Sequence, residues 1–195
     1  MRPLQGMGKP KNLNTLDVYK RQLHGQGPED FTELCLQSGS HLLLEAGVVR
    51  SGEEGRRVLR DAVKSGRAFE KFRQMVMAQG GNVDVVDHPE RLPQAQFVTE
   101  LKSKKTGYIK RLRAMNLGTL AMKIGAGREK KEDGINYAVG IVLNHKVPEF
   151  VKEGDVLAYV HHDQPLEDQW LKDFYDSIEI VDEKVEPNPL VYAVL

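Results

Sequence analysis

Apolar positions recur every three to four residues in the first part of this chain and every second residue, or in short runs, in the rest. From residue 28 to 47 the stripe is broad: Phe31, Leu34, Cys35, Leu36, His41, Leu42 and Leu44. Pro28, Glu29 and Asp30 suit a first helical turn, where the missing proline N–H costs nothing and acids complement the helix dipole. Gly47 is a natural stop. Cys35 lies on the stripe and is read as a small buried hydrophobe. From Ser51 to Gln79 the period continues as two helices broken at Ser65-Gly66. Ser51 is the expected N-cap, with Glu53 and Glu54 behind it. Val58, Leu59, Ala62 and Val63, then Phe69, Phe72, Met75 and Val76, are expected to face inward. Residues 1–22 carry no readable period and are expected to be a disordered or non-native leader.

Residues 82–94, with Asn82, Asp84, Asp87, Pro89 and Pro93, read as a linker and a domain boundary. Beyond it the pattern becomes mixed. Gln96 to Leu101 and Gly107 to Arg113 alternate like strands, and Asn116 to Ile124 reads as a helix ending at Gly125. Ala138 to Leu143 is a nearly continuous apolar run, and Val156 to Val160 follows a turn at residues 152–155. Pro165 to Ile178 is helical, with Leu166, Trp170 and Phe174 at every fourth position. Strands at Ile178 to Val181 and Leu190 to Leu195 close the chain. The fold class is therefore α+β, with helices in residues 23–81 and an α+β domain in residues 95–195.

Composition removes several functions. Lys plus Arg and Asp plus Glu each number 28, so the chain is neutral and unlike a general nucleic-acid binder. Basic residues do cluster around Tyr108, but one aromatic is too few for a single-strand stacking surface. No apolar run approaches the roughly 20 residues of a membrane span, and no secretory signal is visible. The single cysteine fits a reducing, cytoplasmic setting. Residues 100–131 hold ten basic and two acidic residues, whereas residues 149–186 hold three basic and twelve acidic. Segments of opposite sign in a neutral chain are expected to answer each other within one fold.

Candidate chemistry is sparse. Ser38, Ser40 and His41 sit on one helix, where near neighbours point apart, so no nucleophile pair is expected. His161-His162-Asp163 ends a strand and lacks further metal ligands at useful spacing, so no metal site is assigned. Gly125-Ala126-Gly127-Arg128, followed by Lys130 and Lys131, has the makings of a phosphate nest, although neither dinucleotide-binding nor Walker spacing is present. Ala121-Met122-Lys123-Ile124 resembles the modified-lysine segment of biotin carriers, and Gly140 to Val160 reads like half of a biotinyl/lipoyl-type sandwich. A carrier lysine needs an exposed hairpin tip, and Lys123 falls in a helical pattern.

Taken in order, other segments are more specific. Ser65-Gly66-Arg67-Ala68-Phe69-Glu70-Lys71-Phe72-Arg73, then Ala78-Gln79-Gly80-Gly81 and Leu92-Pro93-Gln94-Ala95, resemble parts of pyrimidine-nucleoside phosphorylases. Gly125-Ala126-Gly127-Arg128, Lys131-Glu132-Asp133, Ile135 and Val139-Gly140-Ile141 resemble the same family most strongly, and Glu186-Pro187 through Tyr192 resembles its ending. The likeness covers roughly residues 24–195, and Pro148-Glu149-Phe150 departs from the family's usual Gly-Asp turn. The resemblance implies the helical end of a catalytic α/β domain followed by the C-terminal domain, an α/β-hammerhead fold. It implies phosphorolysis: phosphate attacks C1′ of a pyrimidine nucleoside and the base departs, leaving a pentose 1-phosphate. Phosphate is the implied co-substrate, potassium an implied ion, and a homodimer the implied assembly of the full-length enzyme. The family's phosphate loop, base contacts and potassium site have no counterpart here, so no catalytic residue and no metal ligand is assigned, and the isolated chain is expected to be inactive and to lack the dimer interface. Gly125, Gly127 and Arg128 are the candidate interdomain or phosphate-side loop. The alternative function is a biotinyl/lipoyl-like carrier or a protein-interaction module using residues 28–79, whose apolar face is then expected to stand uncovered. A choice between uridine and thymidine is not legible.

Overall fold

The computed structural model describes residues 20–191, so the leader reading for residues 1–19 and the strand and family ending at residues 192–195, Tyr192 included, lie outside the described residues. The described chain forms two compact units, residues 20–91 with 189–191, and residues 92–188.

In the first unit, helices α1 (Glu29–Glu45), α2 (Gly52–Lys64) and α3 (Arg67–Ala78) follow the 3.6-residue pattern. The Ser51 side chain accepts the Glu54 N–H at 3.2 Å, and the Glu54 carboxylate accepts the Arg50 N–H at 2.9 Å, which satisfies donors at the start of α2. The break between α2 and α3 is Gly66 at φ 77°, a conformation that costs other residues a Cβ clash. α1 and α2 approach closely. A Cβ on Gly55 would lie 3.0 Å from Ser40 Cα and Cβ, so glycine at this crossing lets Ser40 and Leu36 pack inward. Across the same contact Arg56 grips the Glu33 carboxylate with bonds of 2.6 and 2.7 Å.

This choice of contact overturns the burial expected for Cys35. The thiol is exposed, because the inward row of α1 runs through Leu36 and Ser40, one position away. The opposite side of α1 leaves Phe31, Leu34 and Leu42 exposed, Leu42 by 70%. Val58 and Met75, expected inside, are also exposed, and α3 has no buried residue. Residues 82–91 are more structured than their prolines and aspartates suggest. They form helix α4 (Asp84–Asp87) and a 3₁₀ turn (Pro89–Arg91), with Val86 fully buried. Arg73 reaches the Asp87 carboxylate at 2.9 Å, Arg91 reaches Asp84, and the Lys20 ammonium meets the Asp87 carbonyl.

The second unit holds two three-stranded antiparallel sheets. Strands β1 (Phe97–Lys102), β3 (Gly140–Leu143) and β5 (Val156–His162) pair in the order β1-β5-β3, and β2 (Gly107–Leu112), β4 (Phe150–Val151) and β6 (Ile178–Val181) in the order β4-β2-β6. Helices α5 (Ala114–Ala121) and α6 (Asp168–Asp176) contribute Leu117, Leu120, Trp170 and Phe174 to a core with Leu101, Ala158 and Val160. Ile109, Val151 and Leu157 form a second cluster, and Leu112, Tyr175 and Ile178 pack against both. Trp170 buries its ring yet keeps its indole N–H satisfied by donating to the Leu120 carbonyl at 3.0 Å.

Several boundaries differ from the pattern. The apolar run from Ala138 pairs only from Gly140, because Ala138 and Val139 are buried in a turn held by Asn136. Pro165 and Leu166 precede α6 rather than belonging to it, and Leu190 and Val191 form no strand. The two-residue strand β4 was below the length at which alternation is readable, and the Val147–Pro148 peptide beside it is cis. The opposed charges do meet: Lys110 and Arg111 lie 3.4 and 3.8 Å from Glu179, and Lys123 lies 3.7 Å from Asp173.

Candidate functional site

α5 is anchored by Leu117 and Leu120 and then widens into a π-type turn at Met122–Ala126. The turn ends because Gly125 adopts φ 102°, open in practice only to glycine. Gly127 is extended, and a Cβ there would press on Met122 at 3.3 Å. The chain then leaves as an exposed loop. Arg128 is exposed, and its guanidinium makes no hydrogen bond or ion pair among the described residues. Beyond it Asp133 turns back and accepts the N–H groups of Glu129 and Lys130 at 3.1 and 2.8 Å.

These contacts decide what the loop can offer. The amides of Glu129 and Lys130, just beyond the glycine run, are taken by the chain's own Asp133 carboxylate. Arg128, Lys130 and Lys131 are exposed cations with no side-chain partner among the described residues, and of these Arg128 has the planar fork that suits a carboxylate or a phosphate. Gly125 and Gly127 line a cleft of about 390 Å³ together with Thr119, Lys123, Glu129 and Asp133. Gly125, Gly127 and Arg128 are thus one continuous segment with two backbone roles and one charged side chain.

The other sequence candidates resolve into structural contacts. Ser40 donates to the Gln37 carbonyl at 2.8 Å, and the His41 ring meets the Gln37 amide at 2.9 Å, so no serine–histidine pair forms. Lys123 sits in the helical turn against Asp173 rather than at a hairpin tip. Lys104 lies over the Tyr175 ring at 3.8 Å, a cation–π contact within the fold. Both His162 nitrogens are engaged: Nδ1–H donates to the Gln164 carbonyl and Nε2 accepts from Thr99 Oγ1, each at 2.7 Å. Among the described residues no group of three His, Cys, Asp or Glu side chains could hold a metal, and no helix is long and apolar enough to cross a membrane.

His161 is different. It is 1% exposed and its Nε2 has no hydrogen-bond partner. Burial, and next the nearby His162, hold its pKa below the ordinary 6.5. The unfolded imidazole therefore takes up its proton at a higher pH than the folded one. The stability of the neutral, buried ring is complete above pH 6.5 and is lost as pH falls below it. We expect the urea midpoint of the second unit to drop from pH 7 to pH 5, and to drop less in His161→Leu. An equal drop in both proteins would place the acid sensitivity elsewhere.

Asn136 and Asp163 carried no local signal as a pair, yet they meet: the Asn136 amide donates to Asp163 at 2.6 Å across 27 residues. The Asn136 N–H donates to the Gly125 carbonyl at 2.9 Å, which ties this pair to the glycine loop.

Residues 108–181 match the model of the pyrimidine nucleoside phosphorylase C-terminal domain. This stretch runs from β2 through β6. Over 173 residues the chain is 44% identical to the pyrimidine-nucleoside phosphorylases of Staphylococcus aureus strains USA300, NCTC 8325 and N315, an alignment that takes in 89% of this chain and 40% of each relative. The chain thus spans about 40% of the length of these curated relatives. With its two antiparallel sheets and flanking helices, the second unit carries the pyrimidine nucleoside phosphorylase C-terminal domain over residues 108–181, and the chain as a whole is similar to part of the pyrimidine-nucleoside phosphorylases.

Proposed function

We propose that this chain serves as the C-terminal part of an enzyme that splits pyrimidine nucleosides with phosphate, giving free base and pentose 1-phosphate. The observation that carries the proposal is the 44% identity along 89% of the chain, which runs through the glycine loop as well as the helices of the first unit. In that reaction a phosphate oxygen bonds to C1′ while the glycosidic C–N bond breaks, and the base leaves as an anion that takes up a proton. Stabilising that charge is the task of donors placed in advance. Arg128 is exposed beside the glycine turn and, like Lys130 and Lys131 further along the loop, has no side-chain partner among the described residues. We assign Gly125 and Gly127 to close backbone approach, and Arg128 to a substrate phosphate or a carboxylate of the enzyme's remaining part. No phosphate nest, base contact or potassium ligand set is assigned to this chain, and it is expected to be inactive alone. A homodimer of the whole enzyme and a cytoplasmic location are part of the same proposal.

The test replaces the matching 173-residue stretch of the Staphylococcus aureus enzyme by that of this chain and follows release of free base from thymidine and uridine. Activity in the chimera and none in the isolated chain is the expected result. A folded but inactive chimera sinks the assignment, and activity in the isolated chain sinks the claim of an incomplete site. In an active chimera, Arg128→Ala should lower turnover on the order of tenfold or more, the scale of one charge-assisted contact.

A further inference from the structure

We infer that Asp163 and Asn136 act together as the positioning pair of the Gly125–Arg128 loop, a role that rests on assigning this loop to the substrate side. Asp163 directly follows β5, the central strand of its sheet, and so starts from a fixed point. One carboxylate oxygen accepts the Gln96 N–H at 2.7 Å, just before β1, and the other accepts the Asn136 amide at 2.6 Å. Asn136 uses its side-chain oxygen as well, accepting the Ala138 N–H at 3.0 Å, and its own N–H holds the Gly125 carbonyl at 2.9 Å. Three links thus run from the sheet to the residue where the π-type turn ends at φ 102°. The turn at residues 129–133, by contrast, is closed on itself through Asp133. It cannot fix the loop to the sheet, whereas the Asp163–Asn136 pair does.

The chemistry of the pair is that of a charge-assisted acceptor meeting neutral donors. Hydrogen bonds from Gln96 first, and from Asn136 next, keep the Asp163 carboxyl below its ordinary range, so it is an acceptor at neutral pH. Neither residue touches a nucleophile, a base or a metal among the described residues, and both act on the loop through Gly125.

Donor and acceptor can be exchanged within the pair, and that makes the test specific. In Asp163→Asn the new amide cannot accept from both Gln96 and Asn136, so two donors are forced together. In Asn136→Asp two carboxylates face each other. In the double variant the amide at position 163 can accept from Gln96 and donate to the carboxylate at position 136, which still accepts from Ala138. Amide hydrogen exchange of residues 125–137 is followed in the chain as it stands. We expect each single variant to exchange roughly tenfold faster there, the effect of one charge-assisted hydrogen bond, with exchange in β1 and β5 little changed. The double variant should return close to the parent. Unchanged exchange in the single variants, or failure of the folded double variant to restore protection, overturns the proposal. If Asp163→Asn does not fold, Asn136→Ala at an exposed position gives the same reading of the loop. No substrate enters this measurement, so it succeeds or fails apart from the function of the loop, which Arg128→Ala in the chimera tests alone.

Discussion

Phe174→Ala should unfold the second unit at far lower temperature than the parent, by on the order of 15 °C or more. Phe174 is fully buried at the centre of the larger core. Its ring stacks on Trp170 with centroids 6.0 Å apart and meets the Tyr175 ring edge-on at 5.5 Å. Removing it leaves a cavity between α6 and the β1-β5-β3 sheet that these neighbours cannot fill without leaving their own contacts. Trp170 is held by its bond to Leu120 and Tyr175 by its hydroxyl donating to the Lys102 carbonyl at 3.1 Å. Losses for buried phenylalanine to alanine run about 3–5 kcal/mol, most of a small unit's stability. Phe174→Leu, which keeps most of the volume, should cost no more than about 1.5 kcal/mol. Calorimetry on both variants checks this. If the two fall equally, packing volume at this site is not what holds the unit.

Gly107→Ala should be strongly damaging for a single added methyl. Gly107 begins β2 at φ 155°, and a Cβ there would lie 2.5 Å from the Val181 carbonyl oxygen and 2.9 Å from Ile180 Cγ2. Both atoms belong to β6, which is in register with β2 through Tyr108 and Val181 and through Ile109 and Ile180. The added methyl must push the strands apart where the ladder closes, and backbone carbonyls have no rotamer with which to yield. Backbone strain and lost pairing together cost about 3 kcal/mol. Gly134→Ala is the control, since nothing lies within 4 Å of its Cβ, and it should stay within about 0.5 kcal/mol of the parent. Equal urea midpoints for the two variants would mean that β2 and β6 can shift to admit a methyl.

Helices and most strands were legible locally. Ser51 and Gly66 act through groups within four residues, so a cap and a break can be read along the chain without knowing what packs where. The alternation of β1 and β2 and the strand segments of β5 and β6 were equally visible, and so was the Gly125-Ala126-Gly127-Arg128 segment with its neighbours. The order of these segments was enough to suggest the family. The site was legible as a string of residues and not as a geometry. The sequence does not say that the Asp133 carboxylate takes the Glu129 and Lys130 amides, and nothing near Asn136 points to a partner 27 residues away.

Periodicity settles which residues share a face of an element, because side-chain direction follows backbone geometry within a turn or a pleat. It does not settle which face is covered. α1 is apolar on two sides, and only the close crossing at Gly55 decides that Leu36 and Ser40 go inside while Cys35 and Leu42 stay out. The same division holds in the second unit. Trp170 and Phe174 were expected on one face, but their burial, the two-residue pairing of β4 and the unpartnered Nε2 of His161 arise from contacts between segments distant along the chain. Such contacts depend on which surfaces pack most densely and leave the fewest polar groups unsatisfied. That is a property of all the elements assembled together, and no window of sequence contains it.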